Sequence, residues 1–187
     1  TNKEVTTGAG GSVLLSATIG IGTTSNRIDT TTATLAAQLT GTPTGDIFIR
    51  ETDALSIGSV TPLDNFNSGT AIAGITTANN RSITLETLAG TLTVTQNVTA
   101  NGAGFVDLRA GGASSDVNFN SGATVSSTSG TLQVIAGRSI LTDSNTATTT
   151  ELSTSGGLLL AQSPEKASGR VVGRVRERGE AAVVVRA

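Results

Sequence analysis

The sequence predicts an all-β protein, a parallel β-helix or β-solenoid of roughly six to seven coils of about 20–27 residues each. One observation behind this prediction is a repeated phrase, in which a short strand is followed by a corner rich in Gly, Asn, Ser and Thr. The strand openings of this phrase, Ile83, Phe105, Leu132 and Leu158, lie 22, 27 and 26 residues apart. The other observation is that apolar and polar residues alternate within each strand, which is the period of a strand and not of a helix. A unit this small cannot bury its apolar face alone, so it must stack on an equivalent neighbour.

The composition indicates an aliphatic core. The chain has 187 residues, of which 36% are hydrophobic, and this is enough for one domain with a sizeable core. It contains 23 glycines and four phenylalanines, but no Trp, Tyr, Met, Cys or His. The lack of Cys and His excludes disulfides, thiolate metal sites and imidazole acid–base chemistry. The lack of Cys also fits a protein that crosses an oxidising compartment unfolded.

Alternation and turn residues place the elements along the chain. Strands are predicted at 12–22 and 33–39, and as two short strands within 46–60. Polar corners are predicted at 23–32 and 40–45. An insertion that projects from the β-helix is predicted at 61–80. After Arg81 the repeat is most regular, and its strand phrases lie at 82–90, 104–112, 130–138 and 156–163.

The net charge of −2 is unevenly divided between a β-solenoid body, residues 1–163, and a basic C-terminal tail, residues 164–187. The body has six Lys and Arg against eleven Asp and Glu, whereas the tail has six against three. We interpret the tail as a cap or a disordered segment, with a polyanion-binding arm and a translation artefact as alternatives. Neither part has the basic stripe with stacking aromatics that is typical of nucleic-acid binding.

Signals for membrane insertion and export are not found in the sequence. No stretch approaches the roughly 18 apolar residues of a membrane-spanning helix. No basic and then apolar leader precedes the first strand. Because the chain begins within a repeat unit, we interpret it as a mature or excised piece of a longer protein.

Four segments carry a resemblance to a known family: IGTTSNRIDTTTATLAA (21–37), GDIFIRETDALSIGSV (45–60), GTLTVTQNVTANGAG (90–104) and SGTLQVIAGRSILTD (129–143). They resemble the repeats of giant secreted bacterial surface proteins of the filamentous-haemagglutinin type and of autotransporter passengers, over most of residues 11–162. The resemblance implies a right-handed parallel β-helix that serves as a stalk, an adhesin or a surface filament. It implies no catalytic residues, and residues 164–187 do not match it.

Carboxylates are the remaining candidates for catalysis. Parallel β-helices include polysaccharide-cleaving enzymes, whose chemistry needs two carboxylates within reach of one sugar. The candidates for one shared outer face are Asp46, Glu51, Asp53, Asp107 and Asp116, with Arg50 and Arg109. The chain lacks the aromatic platforms that usually hold a sugar, so we interpret these residues as solvated outward side chains. We therefore predict no catalytic, cofactor-binding or metal-binding residue and no cofactor.

Three further patterns have both a functional and a plain structural interpretation. The phrases GGASSDVNF (111–119) and GTPTGDIF (41–48) only partly match a calcium-binding nonapeptide, so we interpret them as ordinary turns. Thr91, Thr93 and Thr95 lie on one face of a strand, as in an ice-binding array. We expect Asp107 and Gln133 at the equivalent places in other coils to interrupt such an array. The glycosylation sequons at Asn80 and Asn97 are interpreted as corner or wet-face residues.

The sequence thus predicts a non-enzymatic structural stalk, adhesin or fibre-forming segment of a bacterial cell-surface or secreted protein. The first alternative is a polysaccharide-acting β-helix enzyme, and the second is an ice- or glycan-binding solenoid. We expect an extracellular or cell-surface location. As partners we expect further copies of the chain, end to end or side by side in a filament, and a host or matrix glycan or protein. We expect neither nucleic acid nor a membrane span.

Overall fold

A computed structural model describes residues 5–120, 122–142, 151–154, 159–162, 176–177 and 183–186. The protein is all-β and folds as a parallel β-solenoid of about six turns, which confirms the predicted fold class. No helix within the described ranges is long and apolar enough to cross a membrane. Of the predicted tail, 164–187, only Arg176–Glu177 and Val183–Arg186 are described. Its role therefore stays a prediction.

The described elements are short strands joined by tight corners, with one 3₁₀-type turn at Phe66–Gly69. In chain order the strands are β1 (Val5–Thr6), β2 (Ser12–Ala17), β3 (Ile28–Thr31), β4 (Thr34–Leu39), β5 (Ile47–Glu51), β6 (Leu55–Ile57), β7 (Ser59–Val60), β8 (Ile72–Ala73), β9 (Ile75–Thr76), β10 (Ile83–Thr87), β11 (Leu92–Val94), β12 (Val98–Ala100), β13 (Val106–Ala110), β14 (Val117–Phe119), β15 (Thr124–Ser127), β16 (Leu132–Ala136), β17 (Ile140–Thr142), β18 (Glu151–Thr154), β19 (Leu159–Gln162), β20 (Arg176–Glu177) and β21 (Val183–Arg186).

Two parallel sheets run along the solenoid. Sheet A has the strand order β1-β3-β5-β10-β13-β16-β19-β21. Sheet B has the order β17-β14-β11-β6-β4-β9-β12-β15-β18-β20, and β2 pairs with β4. The six-residue strand β4 stacks on both β6 and β9, whereas each later coil splits this face into two shorter strands. Stacking in parallel satisfies the backbone groups on both edges of every inner strand.

The core consists mainly of aliphatic side chains, together with Phe119, in register from coil to coil. One column in sheet A is Ile47, Ile83, Val106 and Leu132, and all four side chains are fully buried. Sheet B supplies the facing column Leu55, Leu92, Val117 and Ile140. Full burial of one such side chain contributes on the order of 1.5–3 kcal/mol, so the columns are the main source of stability.

The register corrects the predicted strand openings. Ile83 pairs with Val106 and not with Phe105, and Val106 then pairs with Leu132. Phe105 points outward and is 38% exposed. Strand side chains alternate between faces, so an offset of one residue moves a side chain from the core to the surface. Leu132 in turn pairs with Leu159, and Leu158 lies outside the described residues.

A second correction concerns residues 23–32, which were predicted to be a corner. Strand β3 occupies Ile28–Thr31 within this stretch and pairs with β1 and β5. Its central inward residue, Thr30, is polar and fully buried, so the usual alternation of apolar and polar residues is missing. A buried partner, Glu51, accepts the hydrogen bond of Thr30 and makes this polar strand possible.

A hairpin leaves the solenoid between β6 and β9. Strand β7 pairs antiparallel with β8, and the backbone of Gly74 donates a hydrogen bond of 2.9 Å to Gly58 at the base. Val60 and Ile72 pack on Ala36, on the outward face of β4, and Leu14 of β2 borders this small cluster. The residues of the predicted insertion, 61–80, thus divide between this hairpin and the resumed solenoid, which restarts at Ile75.

Candidate functional surfaces

The outer face of sheet A carries a column of alternating charges. Cross-coil pairing places Asp29, Arg50, Glu86 and Arg109 at one register position in successive coils. Arg50 donates hydrogen bonds of 2.8 and 2.6 Å to Asp29. Arg27 reaches past one coil and donates a 2.5 Å hydrogen bond to Glu86. The hydrogen bond to the Asp29 carboxylate raises the pKa of Arg50.

Asp107 and Arg109 form a second pair on the same face. Arg109 donates from Nε and Nη2 to the Asp107 carboxylate at 2.9 and 2.7 Å. The pKa of Arg109 is raised, first by this hydrogen bond and also by the charges of Asp107 and Glu86. The Asp107 carboxylate is thus already bound by a cation of its own strand. Of the predicted candidates, Asp107, Arg50 and Arg109 therefore share one outer face.

Glu51 is not on that face, which corrects the prediction of a solvated outward side chain. It is fully buried at the end of β5. One carboxylate oxygen accepts hydrogen bonds from the Thr30 hydroxyl at 2.6 Å and the Thr32 amide at 3.2 Å. The other accepts the Thr52 amide at 2.8 Å. Burial raises the pKa of Glu51, and the hydrogen bonds partly oppose that shift. This carboxylate is the polar partner that β3 needs.

The three remaining candidate carboxylates lie at separate corners. Asp46 accepts the Ser82 amide of the next coil at 2.9 Å, and Asp53 is exposed. Asp116 is buried and accepts hydrogen bonds from Arg138, at 2.8 Å for Nε, and from the Ser139 amide at 3.1 Å. Its pairing with Arg138 lowers the pKa of Asp116. The structure thus does not bring all five carboxylates onto one face.

The two phrases considered for calcium contain corner residues with protein partners. In 111–119 the carboxylate is Asp116, which is paired with Arg138. In 41–48 it is Asp46, which binds the Ser82 amide. Among the described residues, no three carboxylates come together as they would at a metal site.

The threonine pattern follows a different register from the one predicted. Thr93 belongs to sheet B, where it pairs with Ser56 and Asn118. Asp107 and Gln133 belong to sheet A, so they do not interrupt the face of Thr93. The prediction was wrong because strands of both sheets have similar alternation, and the spacing alone does not tell which strands stack.

Sheet B instead presents a column of neutral polar side chains on its outer face. In successive coils Gln38, Thr76, Thr99, Ser126 and Ser153 occupy one register position. The Ser126 hydroxyl donates to Thr99 at 3.3 Å. Neighbouring coils stand about 4.8 Å apart, so the hydroxyl groups repeat at that interval.

The two sequon asparagines are corner residues that bind the next coil. The side-chain oxygen of Asn80 accepts the Ala103 amide at 3.0 Å. That of Asn97 accepts the Thr124 amide at 2.9 Å. Both residues are exposed, and each links two coils where no strand pairing does so.

An apolar cleft separates the hairpin from the N-terminal coil. Its volume is about 460 Å³, and its walls include Leu14, Val60, Pro62, Leu63 and Phe66. Leu63 is 86% exposed and Phe66 is 50% exposed, which is unusual for side chains of this size. The sequence prediction missed this cleft, because the hairpin that forms it was treated as an insertion of unspecified structure.

Comparison with known proteins gives no relative. The chain matches no protein family, no curated protein and no solved structure. The fold is therefore established by the structure alone, and the surfaces have to be interpreted from their own chemistry.

Proposed function

We propose that the chain is a non-enzymatic structural segment, a stalk or adhesin-type rod of an extracellular or surface-exposed bacterial protein. The observation that carries this proposal is that Asp107, Glu86 and Asp29, the carboxylates on the charged face, all bind arginines of the chain itself. Two of these ion pairs, Arg50 with Asp29 and Arg27 with Glu86, link different coils, so the carboxylates already serve the stacking of the chain.

The core supports the same proposal. Its buried, mainly aliphatic columns run through the described coils, so each coil stabilises the next. A solenoid of this kind gains length by adding coils of the same design. Six coils at about 4.8 Å each give a rod of about 30 Å, and a longer parent would extend it in proportion. The resemblance to filamentous-haemagglutinin and autotransporter repeats agrees with such a stalk.

Two separate measurements test this proposal: cleavage of polysaccharides and mechanical unfolding of the rod. The wild-type protein and the variants Asp107→Asn and Glu86→Gln are each incubated with neutral and acidic polysaccharides. The reducing ends that are released are then measured. We expect no release by any of the three proteins. In single-molecule pulling we expect stepwise unfolding, with each step releasing about one coil. Release of sugar by the wild type that is lost in Asp107→Asn would overturn the proposal in favour of an enzyme.

A second candidate function is binding to an ordered hydroxylated surface, such as ice or a glycan. The column from Thr76 through Thr99 to Ser126 favours it, because these residues are neutral, small and evenly spaced. Thr99→Lys would place a charge in the middle of that column, whereas Gln133→Lys would place one on sheet A as a matched control. If the chain binds such a surface, Thr99→Lys should abolish inhibition of ice recrystallisation or retention on a glycan column, and Gln133→Lys should not.

A further inference from the structure

The corner between β12 and β13 contains the one Asn-Gly pair of the chain, Asn101-Gly102. It is a tight turn, in which the Gly104 amide donates a 3.1 Å hydrogen bond to the Asn101 carbonyl. Gly102, the second residue of the turn, has a φ of 59°, which glycine adopts without strain. Asn101 is exposed. Its side chain therefore lies in water, next to a backbone amide that no Cβ shields.

The Gly102 amide is available to react with that side chain. Within the described part of the chain it donates no hydrogen bond. By contrast, the amide that follows Asn80 donates to the Ala78 carbonyl at 3.2 Å, and the amide that follows Asn97 belongs to strand β12. A backbone nitrogen fixed in a turn or a sheet cannot swing toward the side chain before it, because attack requires close approach in one geometry. Of these three corner asparagines, only Asn101 has a mobile nucleophile beside it.

The preceding coil supplies a donor to the same side chain. The backbone amide of Asn80 donates a 3.4 Å hydrogen bond to Oδ1 of Asn101. When a nitrogen attacks Cγ of an amide, negative charge develops on the amide oxygen. A backbone N–H fixed beside that oxygen stabilises the charge. The corner thus holds both a nucleophile for Cγ and a donor for Oδ1.

We propose that Asn101 is a site of intramolecular deamidation through a cyclic imide formed with Gly102. The Gly102 nitrogen forms a bond to Cγ and loses its proton, the bond from Cγ to Nδ2 breaks, and Nδ2 leaves as ammonia with that proton. Water then opens the imide at either carbonyl. One opening gives aspartate, and the other gives isoaspartate, in which the main chain runs through Cγ. This modification goes beyond the proposed structural function and does not depend on it.

The isoaspartate product weakens the stacking of the coils at this corner. It lengthens the main chain by one atom where there is no spare room, since a Cβ added at Gly102 would overlap Oδ1 of Asn80. That oxygen accepts the Ala103 amide at 3.0 Å, and the Gly102 carbonyl accepts the Ser129 amide of the following coil at 2.8 Å. A longer turn displaces both of these links. The aspartate product keeps the original main chain and leaves them in place.

Peptide mapping by mass spectrometry tests the site. Folded wild-type protein is kept in mildly alkaline buffer, and the replacement of amide by acid is followed at Asn80, Asn97 and Asn101 over several weeks. We expect conversion at Asn101 to be on the order of tenfold or more faster than at the other two, with isoaspartate among its products.

The other two asparagines are matched internal controls. Asn80 and Asn97 are also exposed corner residues, and the side-chain oxygen of each accepts a backbone amide of the next coil. The same chain held unfolded in urea shows that the assay detects conversion at Asn101. Equal rates at the three sites in the folded protein would overturn the proposal. Conversion of Asn101 in the unfolded chain but not in the folded protein would overturn it as well.

Two variants test the consequence for stability. Asn101→Gln moves the amide one carbon further from the Gly102 nitrogen and so slows ring closure, and Asn101→Asp has the product that keeps the main chain. After the same incubation, the wild type should contain a fraction that unfolds at lower urea concentration, and this fraction should be the isoaspartate form. Both variants should keep a single midpoint. An isoaspartate fraction that unfolds with the fresh protein would overturn the predicted loss of stacking.

Discussion

Arg50 lies one coil away from Asp29 at the same register position and donates two hydrogen bonds, of 2.8 and 2.6 Å, to its carboxylate. Glu86 follows on the other side of Arg50, so the guanidinium lies between two carboxylates of different coils. The charged column therefore neutralises itself along the solenoid axis. If the stacking skipped one coil, Asp29 would lie beside Glu86 and the two carboxylates would repel each other. The alternation of charges therefore favours the native stacking.

Exchanging the charges of this pair tests its contribution. Asp29→Asn or Arg50→Gln should each lower the free energy of unfolding by about 0.5–1 kcal/mol, since both groups are partly exposed to solvent. The effect should shrink as salt is raised. The exchanged double variant, Asp29→Arg with Arg50→Asp, should recover only part of the loss, because the carboxylate at position 50 then lies beside Glu86. Urea unfolding measures all four proteins, and an exchanged variant no more stable than the worse single one would contradict the prediction.

Glu51 should make the protein less stable as the pH rises. Burial raises its folded-state pKa above the unfolded value of about 4.3. Such a group contributes stability that is fully present below the unfolded pKa and is lost as the pH rises through the folded pKa. Glu51→Gln lacks this titration. The difference in unfolding free energy between wild type and Glu51→Gln should therefore change in favour of the variant between pH 4 and neutrality.

The measurement is urea unfolding of both proteins at intervals of half a pH unit. Thr52→Ala is a useful control, because it keeps the Glu51 carboxylate and its backbone donor and should follow the wild-type curve. Parallel curves for wild type and Glu51→Gln would contradict the prediction.

Asp116 should have the opposite pH dependence. Its pairing with Arg138 lowers its pKa, so it contributes stability above the unfolded value of about 3.9, which is lost as the pH falls through the folded pKa. Asp116→Asn should cost about 1 kcal/mol at neutral pH and almost nothing in strong acid. Thermal unfolding from pH 7 down to pH 2 measures the difference. If the stability difference between wild type and Asp116→Asn stayed constant over this pH range, the prediction would be wrong.

Gly130 is required by close approach of two coils. A Cβ added at this buried position would overlap the carbonyl oxygen of Gly104 in the preceding coil. Because backbone must move to relieve that contact, Gly130→Ala should lower the unfolding free energy by about 1–3 kcal/mol. Gly8→Ala is the matched control, since a Cβ there meets no atom within 4 Å. Similar unfolding midpoints for both variants would show that the corner adapts.

Most of the architecture could be predicted because alternation alone defines a stacked core. Ile83, Leu85 and their equivalents point inward at every second residue, and this pattern survives large variation of the corners. The exact register could not be predicted, because Phe105 and Val106 are both apolar and either could begin a strand. Strand β3 was missed because its stability depends on Glu51, a residue about twenty positions later in the chain.

The surfaces were less predictable than the core. The pairing of Arg27 with Glu86 spans 59 positions and depends on which coils are neighbours. The neutral column on sheet B likewise becomes visible only when Thr76, Thr99 and Ser126 are aligned by strand pairing. Local sequence patterns report burial well, whereas a surface is assembled from residues that are far apart in the chain.

The hairpin also identifies where this scaffold tolerates added sequence. It enters at Gly58 and leaves at Gly74, yet β6 and β9 on its two sides keep their pairing with β11 and β12. The solenoid thus carries a projecting element without any shift of its core. The corresponding connections in the next two coils, from β11 to β12 and from β14 to β15, are the equivalent places to graft a foreign loop. A chain built in this way can diversify what it displays while its backbone remains the same.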